Sequence, residues 1–165
     1  MQNKRDYKIG EMVVYPKHGV GEIQYIENIE IGKIKTKCYV IRMEQDKLLI
    51  RVPLEKQKEV GLRKIASKKK IEEIFNILKQ KAKVRKIMWS RRAQEYDSKI
   101  HSGDPEKVCE VVRDLFRKNN QPEQSYSERQ MFQIALERLA REVAAIEKTD
   151  YFYATEKIEK ILYKK

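Results

Sequence analysis

Seven cationic side chains lie close together between residues 79 and 92, with no acidic residue among them. The chain's only tryptophan, Trp89, lies inside this stretch, which we call the basic segment. Uncompensated cations at this density contact phosphates, and an aromatic ring beside them can stack on a base or enter a base step. The pattern therefore favours nucleic-acid binding over the alternative, a solvated helix or loop surface. The seven cations are Lys79, Lys81, Lys83, Arg85, Lys86, Arg91 and Arg92.

Trp89 itself admits two interpretations. Its indole could pack down onto a helical core at the start of a helix. It could instead stay exposed at the edge of the basic segment, where Arg91 and Arg92 would reach phosphates and the backbone N–H groups of the helix start would add donors. The residue spacing leaves both interpretations open.

The other reactive residues form no catalytic or metal-binding pattern. Cys38 and Cys109 are far apart, neither belongs to a C-x-x-C motif, and the two histidines are equally separated. A structural zinc site requires tighter grouping than this. Glu72 and Glu73 lie on a helix whose periodicity turns them to solvent, and no phosphate-binding glycine loop or nucleophile motif is present. We expect no enzyme activity, no cofactor and no metal.

The composition limits the size of the core and the cellular location of the protein. The chain has 165 residues, a net charge of +12 and 41% hydrophobic residues, enough for one or two small cores. Residues 64–118 carry 16 lysines and arginines against 8 acidic residues, whereas residues 119–165 are neutral. No apolar run approaches the ~18 residues of a membrane span. The N-terminus lacks the apolar run of a signal peptide, so we expect a cytosolic protein.

The chain reads as two domains, and this pattern predicts an α+β fold. Short alternating or β-branched runs, punctuated by glycine and by Pro16 and Pro53, predict a small Tudor-like or SH3-like β-barrel over residues 1–63. Apolar stripes at helical spacing predict an all-α bundle of about five helices over residues 68–165. We expect the two to join near residues 62–67. The predicted strands are 12–15, 21–26, 37–43 and 48–52, with 45–47 as a hairpin loop.

Local signals predict where the helices begin. Ser90 is expected to be an N-cap, and Asp104 precedes a proline at a first helical position. Ser125 and Glu128 form a capping-box pattern, and Thr149 or Asp150 caps the last helix. The long helix should bury one side, and the last helix should carry a second apolar set. These sets are Met131, Ile134, Ala135, Leu139, Val143 and Ile146, and then Phe152, Ile158, Ile161 and Leu162.

Several motifs together resemble a known family. The run from Tyr7 to Gly21 resembles the opening of the CarD/CdnL family of bacterial RNA polymerase-binding transcription regulators. Residues 51–53 (RVP) are similar to its last-strand motif, and residues 89–92 (WSRR) to the start of its DNA-binding region. Residues 102–104 (SGD) and 111–115 (VVRDL) are similar to the helices that follow. The resemblance extends from Tyr7 to about Ile161.

The resemblance implies a function and a set of site residues. The Tudor-like domain would dock on the β subunit of RNA polymerase. The helical domain would contact promoter DNA in the minor groove at the upstream edge of the bubble and stabilise the open complex. It further implies a monomer when free, in the bacterial cytosol at the nucleoid. The DNA-binding residues would be Trp89, Arg91, Arg92, Lys118 and Lys86, and the polymerase-binding residues Arg51, Ile29 and Ile31.

Two departures from the family pattern bear on these contacts. Gln94 stands where some relatives have a cation, and Asn28 and Glu30 stand where an arginine helps to hold the polymerase. A second hypothesis is a polymerase-independent protein that binds single-stranded DNA or RNA non-specifically through the same basic segment. A third, a purely structural interaction module, leaves the basic segment unexplained.

Overall fold

The computed structural model describes residues 6–118 and 124–164. The chain divides into two compact units between Ile65 and Ala66. The described residues form five strands and then five helices, which confirms the α+β fold with a Tudor-like first domain and a helical second one. The strands are β1 (Met12–Tyr15), β2 (Gly19–Ile31), β3 (Ile34–Met43), β4 (Leu49–Pro53) and β5 (Arg63–Lys64). The helices are α1 (Lys68–Lys79), α2 (Trp89–Ile100), α3 (Pro105–Leu115), α4 (Tyr126–Glu147) and α5 (Tyr151–Tyr163).

The strands form one antiparallel sheet in the order β4-β3-β2-β1-β5. Strand β5 lies in the stretch expected to join the domains, where Lys64 pairs with Val13. Strands β2 and β3 are longer than predicted and pair with each other as far as the Ile31–Ile34 pair. Strand β4 pairs with β3 only from Cys38 onward, and β1 pairs with β2 only as far as Glu22. The end of the β2–β3 hairpin around Ile31 and Ile34 is therefore a two-stranded ribbon.

Tyr39 organises the core of the first unit. Its ring is fully buried, and its hydroxyl oxygen accepts hydrogen bonds from the backbone N–H groups of Asp6 (2.9 Å) and Tyr7 (3.3 Å). Tyr7 packs edge-on against Tyr39 and donates its own hydroxyl to the carbonyl of Leu62 (2.9 Å). Burial raises the pKa of Tyr7 above its ordinary value, so its phenol remains a donor.

Gly21 allows β2 and β3 to approach closely. A Cβ atom at this position would lie 2.7 Å from the Ile41 side chain and 2.9 Å from the Met43 sulfur. Glycine is therefore required here for packing, inside the strand, rather than for a turn or bulge as its sequence context suggests.

A β-bulge in β2 decides which side chains face the core. The register shifts between Ile23 and Tyr25, so that Gln24 is an extra residue on this strand. Before the bulge Ile23 is fully buried; after it Ile26 packs against the core while Tyr25 is exposed. The simple alternation predicted for residues 21–26 is therefore wrong, because one inserted residue moves every later side chain to the other face.

In the second unit the predicted helix starts are confirmed at three places. The carboxylate of Asp104 accepts from the N–H of Glu106 (2.9 Å), Ser125 accepts from Glu128 (3.2 Å), and Asp150 accepts from Tyr153 (2.8 Å). These local bonds satisfy N–H groups that a helix leaves unpaired. The core of this unit is built from fully buried side chains of α1, α3, α4 and α5, among them Ile74, Leu78, Val111, Val112, Leu115, Leu139, Ile158 and Leu162.

Two residues predicted for the apolar sides of α4 and α5 lie outside the core. Ile134 is 44% exposed, because it is five residues from the buried Leu139 and thus about 140° away around the helix. Phe152 is 79% exposed and makes an edge contact with Tyr151. Leu136 and Ala140, which the predicted stripe omits, are buried instead.

Candidate nucleic-acid interface and protein-docking face

The basic segment spans the end of α1, an irregular connection and the first turn of α2. Its side chains from Lys79 to Lys86 are all exposed. Arg85 forms an ion pair with Glu95 (2.6 Å). Among the described residues, no carboxylate lies within 4.0 Å of the other four cations in this stretch or of Arg91. These exposed cations, Lys86 among them, form a cationic surface on the helical unit.

A buried ion pair fastens this segment to the bundle. Arg113 and Asp114 of α3 are only 4% and 3% exposed, and Arg113 Nε donates to Asp114 Oδ1 (2.8 Å). Asp114 Oδ1 also accepts the backbone N–H of Lys83 (2.9 Å), and Arg113 donates to the side-chain oxygen of Gln80 (2.8 Å). Both charges thus use their remaining hydrogen bonds to hold the connection, which is what a buried pair needs to be tolerated.

The N-terminus of α2 lies at the end of the basic segment and is open. The predicted N-cap, Ser90, is wrong: α2 begins at Trp89, and the backbone carbonyl of Met88 accepts from Arg91 and Arg92 (both 3.1 Å). Within the described part of the chain, Met88 makes no side-chain cap bond and no acidic residue occupies the first turn. Free N–H groups and the positive end of the helix dipole favour an anion at this point.

Trp89 combines features of both sequence interpretations. Its indole is half-buried, with the ring centroid 6.2 Å from that of the buried Tyr96. The guanidinium carbon of Arg92 lies 5.3 Å from the indole centroid and 5.8 Å from the Tyr96 ring. These three residues are spaced at i, i+3 and i+7 and share one helix face. The indole is therefore braced on one side and open on the other.

Arg91 and Arg92, which the sequence treats alike, are placed differently. Arg91 is exposed, whereas Arg92 is half-buried between two aromatic rings. The Nε of Arg92 is buried, with no hydrogen-bond partner among the described residues. Arg91 is thus the residue free to contact a phosphate, and Arg92 also supports Trp89. Sequence reasoning missed Tyr96, although its spacing of seven from Trp89 could have revealed it.

The other end of α2 is held firmly. Ile100 is 1% exposed, and its carbonyl accepts a hydrogen bond from Arg138 of α4 (3.2 Å). Burial lowers the pKa of Arg138 below its ordinary value. Lys99 pairs with Glu110 of α3 (2.8 Å). Trp89 therefore projects from a helix whose base is fixed to two neighbours. Lys118, the remaining predicted DNA contact, is half-buried and follows α3.

The predicted polymerase contacts share one face of the sheet, which we call the outer face. After the bulge, Ile29 pairs across the strands with Thr36, Ile31 with Ile34, and Arg51 with Val40. Cross-strand partners lie on the same face, and side chains alternate between the faces along each strand. These residues point away from the core that contains Tyr39 and Ile41. Ile31 and Ile34 are 69% and 70% exposed, at the far end of the ribbon. Tyr25 and Leu49 extend this apolar surface, at 44% and 46% exposure.

An ion pair lies in the middle of the outer face. Arg51 Nε donates to Glu27 Oε2 (2.6 Å), although β3 separates their two strands. The hydrogen bond to Glu27 raises the pKa of Arg51 above its ordinary value. Asn28 and Glu30 alternate with Ile29 and Ile31 and thus point to the opposite side of the ribbon. Glu30 therefore does not interrupt the apolar surface.

The described residues hold no group of three histidine, cysteine or acidic side chains that could bind a metal ion. Glu72 and Glu73 are exposed, and His18 stacks on Tyr15. None of the helices in the described ranges is long and apolar enough to cross a membrane.

Comparison with known proteins assigns both units to one family. Residues 7–66 match the CarD-like/TRCF RID domain, and residues 73–159 match the CarD C-terminal domain. A similar protein is Putative transcription factor YdeB of Bacillus subtilis (strain 168). It is 31% identical over 140 residues, which cover 85% of this chain and 92% of that protein. These matches are to transcription regulators, not to enzymes. The chain therefore belongs to the CarD/CdnL family of transcription regulators.

Proposed function

We propose that this regulator docks on the β subunit of RNA polymerase through the outer face of its sheet. The helical unit then holds promoter DNA at the upstream edge of the transcription bubble. The observation that carries the proposal is the braced indole of Trp89, at the open N-terminus of α2 and the end of the basic segment. Family membership supports a role in transcription. The geometry supports protein docking by the first unit and DNA binding by the second.

On the DNA side, three features act together. Exposed cations bind the phosphate backbone without reading sequence. The free N–H groups of the α2 start donate hydrogen bonds to a phosphate oxygen. The exposed side of the indole wedges into the minor groove or stacks on an unpaired base, and Arg92 with Tyr96 limits its motion. Because stacking is available only once the DNA has melted, this binding energy favours the open over the closed promoter.

On the protein side, the outer face has the composition of a docking surface. Ile31, Ile34, Tyr25 and Leu49 supply exposed apolar area, and the Arg51–Glu27 pair supplies polar contacts in its midst. Arginine and aromatic residues are enriched at protein interfaces. A partner acid could engage Arg51 without separating it from Glu27, since the guanidinium has five N–H donors.

Co-purification with core RNA polymerase at moderate salt tests the proposal. We expect the intact protein to be retained by polymerase that contains the β subunit and to lengthen the lifetime of open complexes. Retention on single-stranded DNA or RNA without any polymerase association would favour the polymerase-independent hypothesis instead.

A further inference from the structure

A second basic surface lies on the helical unit, between α1 and α5. A groove of about 590 Å³ is lined by four lysines around an apolar floor of Phe75 and Ile161. We call it the lysine groove. Its lysines are Lys79, Lys157, Lys160 and Lys164. None of its lining residues is among the predicted site residues, and only Lys79 belongs to the basic segment.

The lysine groove keeps a net positive charge after its ion pairs are counted. Lys157 is held by Glu147 (2.8 Å) and lies 5.3 Å above the Phe75 ring. Lys160 contacts Glu156 (3.5 Å), with both side chains about two-thirds exposed (68% and 66%), a pair that contributes little and exchanges readily. Among the described residues, Lys79 and Lys164 have no carboxylate within 4.0 Å. The four cations thus outnumber their carboxylate partners.

Lys79 connects this groove to the basic segment. It is the last residue of α1, it lines the groove, and it is the first cation of the basic segment. Lys81 follows two residues later, so its Cα lies within ~8 Å of that of Lys79. The two cationic surfaces are therefore adjacent along the chain, and one extended polyanion could bind both.

The side chains favour a nucleic-acid backbone as that polyanion. Lysines are flexible point charges, suited to phosphates whose positions vary. The lining of the groove among the described residues includes no arginine, which could bind a carboxylate through two hydrogen bonds. Duplex DNA carries one negative charge per ~1.7 Å of its axis, so a duplex that passes the basic segment presents further phosphates beside it.

We propose that the lysine groove is a second phosphate-binding surface, which takes the DNA backbone beyond the part held by the basic segment. The proposal rests on the proposed function, since it extends the same DNA contact. The competing role is structural: cations near a helix C-terminus stabilise the helix dipole, and all of Lys79, Lys160 and Lys164 lie at such ends.

The test is the salt dependence of binding to a fluorescently labelled DNA duplex. The double variant Lys160→Gln/Lys164→Gln removes two exposed cations and keeps the better-held Lys157. If both contact phosphates, the slope of log affinity against log salt should become shallower by about 1.8. Between about 50 and 200 mM salt, the parent's affinity should then fall about 12-fold more than the variant's. Circular dichroism should show unchanged helix content.

A matched control is Lys107→Gln/Arg129→Gln, which removes two exposed cations outside the groove. It should change the slope much less than the groove variant. An equal change in both would mean that only net charge matters, and would overturn the proposal. An unchanged slope with lowered thermal stability would assign the lysines to the helix ends.

A third variant, Arg91→Ala, separates failure of this inference from failure of the proposed function. If Arg91→Ala reduces the slope and the groove variant does not, DNA binding stands and the groove is not part of it. If neither changes the slope, the proposed DNA interface itself is wrong. If the groove variant loses polymerase retention with unchanged DNA binding, an acidic protein surface is the ligand, which also refutes the proposal.

Discussion

Replacement of Trp89 by alanine separates the two roles that its half-buried indole combines. The change removes the aromatic pair with Tyr96, worth about 0.5–1.5 kcal/mol, and the Arg92 cation–π contact, worth about 0.5–1 kcal/mol at an exposed site. These two contacts alone lower the free energy of unfolding by about 1–2.5 kcal/mol, and loss of the area that the indole buries adds to this. A fully buried tryptophan would cost about 3–5 kcal/mol. Urea unfolding followed by circular dichroism measures this difference.

Open complexes should lose lifetime separately from the loss of folding stability. Loss of stacking on a base removes about 1–3 kcal/mol, which corresponds to a lifetime shorter by roughly 5- to 150-fold. The assay is dissociation of preformed promoter complexes after a competitor is added, at a temperature where the variant is fully folded. Retention on RNA polymerase should be unchanged, because the outer face lies in the other unit.

Trp89→Phe is the matched control for this experiment. It keeps an aromatic ring on Tyr96 and a face that can stack, so it should retain part of the lifetime. A Trp89→Ala protein that is folded and stabilises open complexes as well as the parent would refute the stacking role. A shorter lifetime that is fully explained by the unfolded fraction of the variant would show that the indole acts only as a core residue.

Three further predictions follow from the same geometry. Arg91→Ala should lower the salt slope of DNA binding by about 0.9 without loss of stability. Arg92→Ala should also change the fluorescence of the single tryptophan, because the Arg92 guanidinium contacts the indole. Equal fluorescence spectra of the two variants would contradict this difference. Arg51→Glu should abolish polymerase retention, and adding Glu27→Arg should restore the ion pair but not retention; recovery in the double variant would show that Arg51 acts only within the sheet. Asp114→Asn should destabilise the helical unit by about 3–5 kcal/mol, since it leaves a buried guanidinium unpaired, as thermal unfolding would show; a smaller loss would mean that water reaches the pair.

Several features of this protein follow from short stretches of sequence. Asp104 with Pro105, Ser125 with Glu128, and Asp150 each mark a helix start, because a side-chain oxygen satisfies backbone N–H groups two or three residues away. Such bonds need no distant partner. The concentration of charge in the basic segment is equally a property of the sequence alone.

The start of α2 shows where local signals fail. Ser90 has the chemistry of an N-cap, yet the helix starts one residue earlier, at Trp89. The indole packs on Tyr96 within α2, and Asp114 of α3 binds the backbone of Lys83 before the helix. The hydrogen bond from Asp114 comes from a residue 31 positions away and holds the connection that leads into this helix, and no local pattern contains that information.

The outer face of the sheet was decided by the tertiary structure in the same way. Strict alternation from Ile23 would turn Ile29 and Ile31 into the core, and the bulge at Gln24 turns them outward, beside Arg51. A bulge is stabilised by the pairing of two strands, so a single strand's sequence does not reveal it. The sequence by itself therefore determined the elements and the charge, whereas inter-strand register and helix packing decided which side chains meet to form each site.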